Sequence, residues 1–169
     1  LDDAVVGEQA RSLHADARVM LARIVDQKWL TARAVFGFWP AQSQGDDVVL
    51  QQDDGRHTTL HFLRQQADKP HTRPNRCLAD YIAPAGSGKA DWIGAFAVTA
   101  GHGELEVAKR FKDAGDDYSS ILATSLADRL AEALAERLHQ RVRTQHWGYA
   151  GEEALDNQAL IEEAYRGIR

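Results

Sequence analysis

The sequence predicts an α+β domain built on a mostly antiparallel sheet. Three observations carry this: helical spacing at the start of the chain, a run of strand-like segments in the middle, and a long helical stripe near the end. Strands and helices are segregated along the chain, which argues against a doubly wound parallel sheet. Its 169 residues are expected to form a single domain. A chain of this mass hides roughly 70% of its unfolded surface, enough for a core without covalent staples.

From Asp2 to about Lys28, Val6, Ala10, Leu13, Ala17, Met20, Leu21 and Ile24 recur at three and four, and Asp2 or Asp3 is the expected cap. Ala34 to Trp39 is short, apolar and aromatic, and reads as a buried strand stopped by Pro40. Asp47–Gln52 and His57–Phe62 flank Asp53-Asp54-Gly55, a hairpin signal. Residues 63–76 are polar, contain Pro70 and Pro74, and read as a loop. Leu78–Ala83 and Ala90–Thr99 read as two further strands around Pro84-Ala85-Gly86-Ser87-Gly88. Glu104–Lys112 is expected to be a short helix.

Asp116 or Asp117 then caps the longest element, running to about Trp147. Its apolar stripe is Ile121, Leu122, Leu126, Leu130, Ala133, Leu134, Leu138 and Val142. Asn157 to Tyr165 closes the chain as a short helix capped by Asp156.

Composition narrows the function. Lys plus Arg is 20 and Asp plus Glu is 25, a net charge of −5. A mildly acidic domain suits neither nucleic acid nor an anionic membrane surface. No apolar run approaches the roughly 20 residues that span a bilayer. The one cysteine, Cys77, excludes an internal disulfide and a Cys-based zinc cluster, and fits a cytoplasmic setting. Both ends of the chain read as cuts from a longer polypeptide.

Familiar motifs are incomplete. Gly86-Ser87-Gly88-Lys89 lacks the earlier Gly and the following Ser or Thr of a phosphate-binding loop, so a turn is expected. Gly101-His102-Gly103 lacks the third glycine of a dinucleotide fingerprint, because Glu106 stands there, and also reads as a turn. His57 and His61 on a strand would lie about 13 Å apart, too far to share one ion. His139 and His146 on a helix would lie about 10.5 Å apart, and read as solvated. Asp128, Glu132 and Glu136 form an acidic column opposite the Leu126 and Leu130 stripe, by default a solvated face that Arg129 and Arg137 can pair locally. The four tryptophans, Trp29, Trp39, Trp92 and Trp147, are expected to build or cover the core. No catalytic residue and no metal ligand emerges.

Several unbroken stretches resemble one family. They are Leu63-Arg64-Gln65-Gln66, Cys77-Leu78-Ala79-Asp80-Tyr81, the run Ser87 to Thr99, and Asp116-Asp117-Tyr118. Leu126 to Ala133, Trp147-Gly148-Tyr149-Ala150 and Tyr165-Arg166-Gly167-Ile168-Arg169 follow in order. Together they resemble the C-terminal activation domain of cobalamin-dependent methionine synthase, over essentially the whole of residues 1–169. The resemblance implies a C-shaped domain with a central twisted antiparallel sheet, flanking helices and S-adenosylmethionine extended in a groove. It implies a part in a methyltransferase of methionine biosynthesis. The module supplies the methyl group for reductive methylation, which returns oxidised cob(II)alamin to methylcobalamin. Cobalamin would belong to an adjacent domain of the same polypeptide, and zinc would lie elsewhere. The cobalamin-binding domain and a flavodoxin or flavin reductase would be the partners.

The family's ligand signature is an Arg, three residues, then Gly-Tyr. Arg169 matches the Arg and is the last residue of the sequence. A guanidinium suits the ligand carboxylate through two parallel hydrogen bonds. Glu132 matches a family acidic position at the groove and suits the ligand's ammonium or sulfonium charge. Two other readings stand beside this one. The first is an interaction module docking flavodoxin and the cobalamin domain without complete ligand binding, through Arg137, Arg141 and Arg143 or Arg73 and Arg76. The second is an unrelated hydrolase using the histidines, which their spacing disfavours.

Overall fold

A four-stranded sheet in the order β3-β2-β1-β4, with four α-helices, makes up the computed structural model, which describes residues 6–69 and 73–167. The elements run α1 (Gly7–Asp26), β1 (Thr31–Gln44), β2 (Asp47–Gln51), β3 (His57–His61), β4 (Trp92–His102), α2 (Glu104–Asp113), α3 (Asp117–Arg141) and α4 (Asn157–Ile161). The α+β class is as expected, and so is the long helix, which one wide π turn (Val142–His146) extends. The expected caps Asp2 and Asp3 lie outside the described residues. Contacts divide the chain into two compact units whose boundaries fall inside β1 and β4. One holds the residues through Ala34 together with those from Ala97 onward, the other Val35–Phe96.

In the first unit α1, α2 and α3 bury one core. Met20 and Ile24 of α1, Val107 of α2, and Leu122 and Ala123 of α3 form its centre. Trp29, Phe111, Leu126 and Leu130 pack around it. The buried face of α3 is rotated from the expected stripe. Ile121 is 68% exposed, whereas Ala123 and Ala127 are buried. Small alanines let neighbouring helices approach closely, so the face reads 122, 123, 126, 127 rather than a row of large residues. Leu13 of α1, and Val6 just before the helix, are likewise exposed.

The helix ends share one device. Lys28, Gly115 and Glu163 stand in the left-handed region (φ 52°, 74° and 54°) just past α1, α2 and α4. At each, the next residue's N–H reaches back five positions: Trp29 to Ile24, Asp116 to Phe111, Ala164 to Ala159, at 2.9–3.1 Å. These are Schellman closures, which satisfy terminal carbonyls. Asp116 then serves α3 directly, accepting from the Ser119 N–H at 2.9 Å.

The second unit holds most of the sheet. Gln51 pairs with His57 across the Asp53-Asp54-Gly55 turn, as the Asp-Gly step predicts. A second hairpin was not expected: Gln44 pairs with Asp47 around Gly45-Asp46, with Gly45 at φ 64°. Pro40 does not end β1. Ala41 donates to Asp91 on one side of the strand, so Pro40's missing N–H falls on the other side, beyond the last pair with β2. Leu78–Ala83 is not a strand. Leu78–Tyr81 is a 3-10 turn, because Asp80 accepts from the Cys77 N–H at 2.9 Å and closes the chain on itself. Val48, Ala41, Leu50, Cys77 and Ala79 form this unit's core, with Trp39 packed against it. Trp92 and Trp147 instead remain 47% and 42% exposed.

Arg64 ties this unit's irregular segments together. Its guanidinium donates to Asp46, to both oxygens of Asp80 and to the Asn75 carbonyl, at 2.7–2.9 Å. The Arg64 hydrogen bonds, with that from Cys77 N–H, lower the Asp80 carboxyl to about 2.

Gly103 caps α2 where Gly101-His102-Gly103 was read as a turn; Gly101 and His102 instead complete β4. Its φ is 98°, and a Cβ there would meet the Trp29 carbonyl oxygen at 2.5 Å. Gly103→Ala is therefore expected to destabilise the protein by about 2 kcal/mol or more, through strain and a backbone clash. Urea unfolding checks this; an unchanged midpoint would refute the contact.

Candidate ligand-binding site

Of the two residues expected at a ligand site, Glu132 is described and Arg169 lies outside the described residues. Glu132 stands on α3 with its carboxylate in solvent, 2.7 Å from the Arg129 guanidinium one turn earlier. Asp128 on the same column is exposed and Glu136 half-buried. An exposed pair of this kind is weak and exchangeable. The Glu132 carboxylate can thus turn to another cation at little cost.

The segment leading toward Arg169 is fixed by a group the sequence reading missed. Arg143, in the π turn after α3, is 1% exposed. Its Nε and Nη2 donate to the two carboxylate oxygens of Glu153 at 2.7 and 2.6 Å. Its Nη1 lies 2.8 Å from His139 Nδ1, one helical turn back. The Tyr165 ring covers the guanidinium at 4.2 Å and meets the His139 ring edge-on at 5.2 Å. Every nitrogen of Arg143 is thus engaged, and one of its flat faces is covered.

The π turn places this arginine. Trp147 N–H bonds to the Val142 carbonyl at 2.9 Å, five residues back, and Ala150 N–H bonds to the Arg143 carbonyl at 3.0 Å. The chain therefore leaves α3 folded over Arg143, bringing Glu153 to it. Farther on, Gly167 passes against Tyr149. Its φ is 105°, and a Cβ there would lie 2.6 Å from the Tyr149 hydroxyl.

Two expectations fall here. His139 is not solvated; it is 6% exposed, whereas His146 is exposed as expected. Arg143 is not part of a basic docking surface, because its charge is buried on Glu153. The signal for both was adjacent: Leu138 and Val142 of the expected stripe are buried, and His139 and Arg143, one residue on from each, complete the buried face at the end of the helix. A hydrophobicity stripe passes over a charged residue on that face.

Electrostatics follow the geometry. The Arg143 hydrogen bonds hold the Glu153 carboxyl below its usual range. Burial first, then the Arg143 charge, lowers His139, while the Glu153 charge opposes them. Neutral His139 thus accepts from Arg143 at Nδ1 and carries its proton on Nε2. Burial is the first cause raising Tyr149 and Tyr165.

The second unit contains an open cleft of about 510 Å³, lined by residues including Gln42, Gln51, His57, Asp91 and Trp92. Glu132 does not line it. Both Asp91 oxygens already accept backbone N–H groups, from Ala83 and Trp92. His57 and His61 stand at opposite ends of β3, and His61 pairs with Asp47 at 3.0 Å. Among the described residues no cluster of three or more His, Cys, Asp or Glu could hold a metal ion, and no helix is long and apolar enough to cross a membrane.

Comparison with known proteins places this architecture. Residues 1–169 match the family model for the activation domain of vitamin B12 dependent methionine synthase, and the chain belongs to that family. A crystal structure of the MetH reactivation domain bound to AdoHcy superposes with a TM-score of 0.91 at 49% identity. The match covers 100% of this chain and 53% of that one, so the chain spans about half its length.

Acid should loosen the Arg143 cluster in two stages. His139 and Glu153 both have folded values below their ordinary 6.5 and 4.5. The unfolded chain therefore binds protons first, and each group's stabilisation is full above its ordinary value and lost as pH falls from there through the lower folded value. The melting temperature is expected to drop below about pH 6.5 and again below about 4.5. His139→Gln should remove the first drop relative to the wild type. Parallel pH profiles for the two proteins would refute the assignment.

Proposed function

We propose that this chain binds S-adenosylmethionine and serves as the reactivation module of a cobalamin-dependent methionine synthase. The observation that carries the reading is the 49% identical domain, aligned over the whole of this chain, that holds AdoHcy. AdoHcy is what S-adenosylmethionine becomes when its methyl leaves, so a site that holds one has the shape for the other. When bound, S-adenosylmethionine supplies a methyl already activated by its sulfonium charge.

The protein's own work is then binding, orientation and exclusion of water rather than acid–base chemistry. Arg169 grips the ligand carboxylate through a bidentate pair. Glu132 turns from Arg129 toward the ligand's ammonium or sulfonium charge. The donor set is chemically complementary: one guanidinium for the carboxylate, one solvent-open carboxylate for a cation. Residues 1–169 act as one module of a cytoplasmic methyltransferase, whose cobalamin is held by an adjacent domain. That domain, and a flavodoxin or flavin reductase as electron donor, are its partners. Held here, S-adenosylmethionine would supply the methyl group for reductive reactivation of that cobalamin in methionine biosynthesis, with the electron coming from the flavin partner and AdoHcy left as the product.

Calorimetric titration of S-adenosylmethionine into the intact protein tests this reading. Binding is expected, and Arg169→Ala should weaken it about tenfold to a hundredfold, the range for losing a charge-assisted bidentate contact. Unchanged affinity in Arg169→Ala would count against the site, and no binding by the wild type would count against the function.

A further inference from the structure

The open cleft of the second unit collects polar side chains that the fold itself does not bond. Gln42 pairs across the strands with Val49, and Gln51 with His57. These four and Gln44 share the sheet face turned away from buried Ala41, Val48 and Leu50, and all five line the cleft. Trp92, 47% exposed at the start of β4, lines it as well. Every other glutamine except Gln9 has its side chain in a hydrogen bond. By contrast, the side chains of Gln42, Gln44, Gln51, His57 and Trp92 make no hydrogen bond among the described residues. Gln51 is the diagonal neighbour of Gln42, about 7–8 Å away, so two long side chains can reach one molecule.

The lining also decides the charge of the ligand. No Lys or Arg lines the cleft, so a phosphate or carboxylate finds no counter-charge there. The Asp91 carboxylate already accepts backbone N–H groups of Ala83 and Trp92 on its two oxygens, so its charge is answered within the fold. The groups that remain are neutral: carboxamides, each with a donor beside an acceptor, and a flat indole, with apolar Val49 and Pro40 among them. We infer that this cleft is a binding site for the purine ring of an uncharged nucleoside. A carboxamide meets the adenine edge with two parallel hydrogen bonds, and an aromatic ring gives the base a face to stack on. The site is separate from the one proposed above, since Glu132 does not line the cleft.

Equilibrium dialysis of adenosine against the intact protein tests this, using wild type, Gln42→Ala, Gln51→Ala and Trp92→Ala with melting curves in parallel. The wild type is expected to bind adenosine. Each glutamine variant should raise Kd about threefold to tenfold, and Trp92→Ala about tenfold or more. Melting temperatures should stay near the wild-type value, because all three side chains are exposed. AMP should bind no more tightly than adenosine, and saturating S-adenosylmethionine should leave adenosine binding unchanged. A wild type that does not bind adenosine overturns the proposal, and so do variants that bind it as the wild type does. Tighter binding of AMP or of glucose, or displacement of adenosine by S-adenosylmethionine, overturns it as well. Should Trp92→Ala fail to fold, the two glutamine variants decide. Failure here leaves the S-adenosylmethionine reading intact, because the wild type's own titration with that ligand tests it independently.

Discussion

The buried pair of Arg143 and Glu153 is the constraint on which the end of the chain depends. Two charges removed from water cost several kcal/mol each, and only close, complete hydrogen bonding returns that cost. Here the return is nearly complete: two parallel bonds between the ions, a third to His139, and an aromatic face over the cation. The pair also joins parts of the chain that share no secondary structure. His139 belongs to α3, Arg143 to the π turn, Glu153 to the following loop and Tyr165 to the residues after α4. Losing one partner would strand the other charge in the interior, a cost of about 3–5 kcal/mol. Residues 147–167 have only one short helix of their own, so this cluster does for them what a core does elsewhere.

The sheet-bearing unit solves a similar problem in solvent. Arg64 also joins irregular segments, reaching Asp46, Asn75 and Asp80 at once. Its side chain is one-third exposed, so screening weakens each contact, and the number of partners compensates. The two arginines show the same bidentate geometry put to work at different depths. Arg64 holds a loop and a 3-10 turn against a hairpin beside an apolar core. Arg143 holds a segment that has little apolar core beneath it.

The sequence made some elements legible and hid others for physical reasons. The Asp53-Asp54-Gly55 hairpin, the Asp116 and Asp156 caps and the span of α3 follow from local chemistry, and all are present. Pro40 misled because its cost depends on which side of β1 is paired, a tertiary fact. Leu78–Ala83 has the apolar content of a strand, but Asp80 and Arg64 turn it into a tight coil. At the candidate site, Glu132 could be named only from family resemblance, since its exposed pair with Arg129 resembles many surface pairs. His139, near the end of α3, and Arg143, in the π turn after it, stand beside the buried Leu138 and Val142. Reading the buried face as a hydrophobic stripe excluded them, because a partner for the charge, Glu153, stands ten residues away across an unpredicted π turn.

The proposed function gives this scaffold a ligand-binding task, and the scaffold's contribution is to hold a loosely structured segment still. If the Arg143–Glu153 pair is what holds it, its removal should act locally. Native-state hydrogen exchange on the intact protein carrying Arg143→Met tests this most directly. The account predicts that amides within residues 147–167 lose protection, while those of β1, β2 and β3 between Val35 and His61 exchange as in the wild type. Unchanged protection in 147–167, or an equal loss throughout the chain, would contradict it.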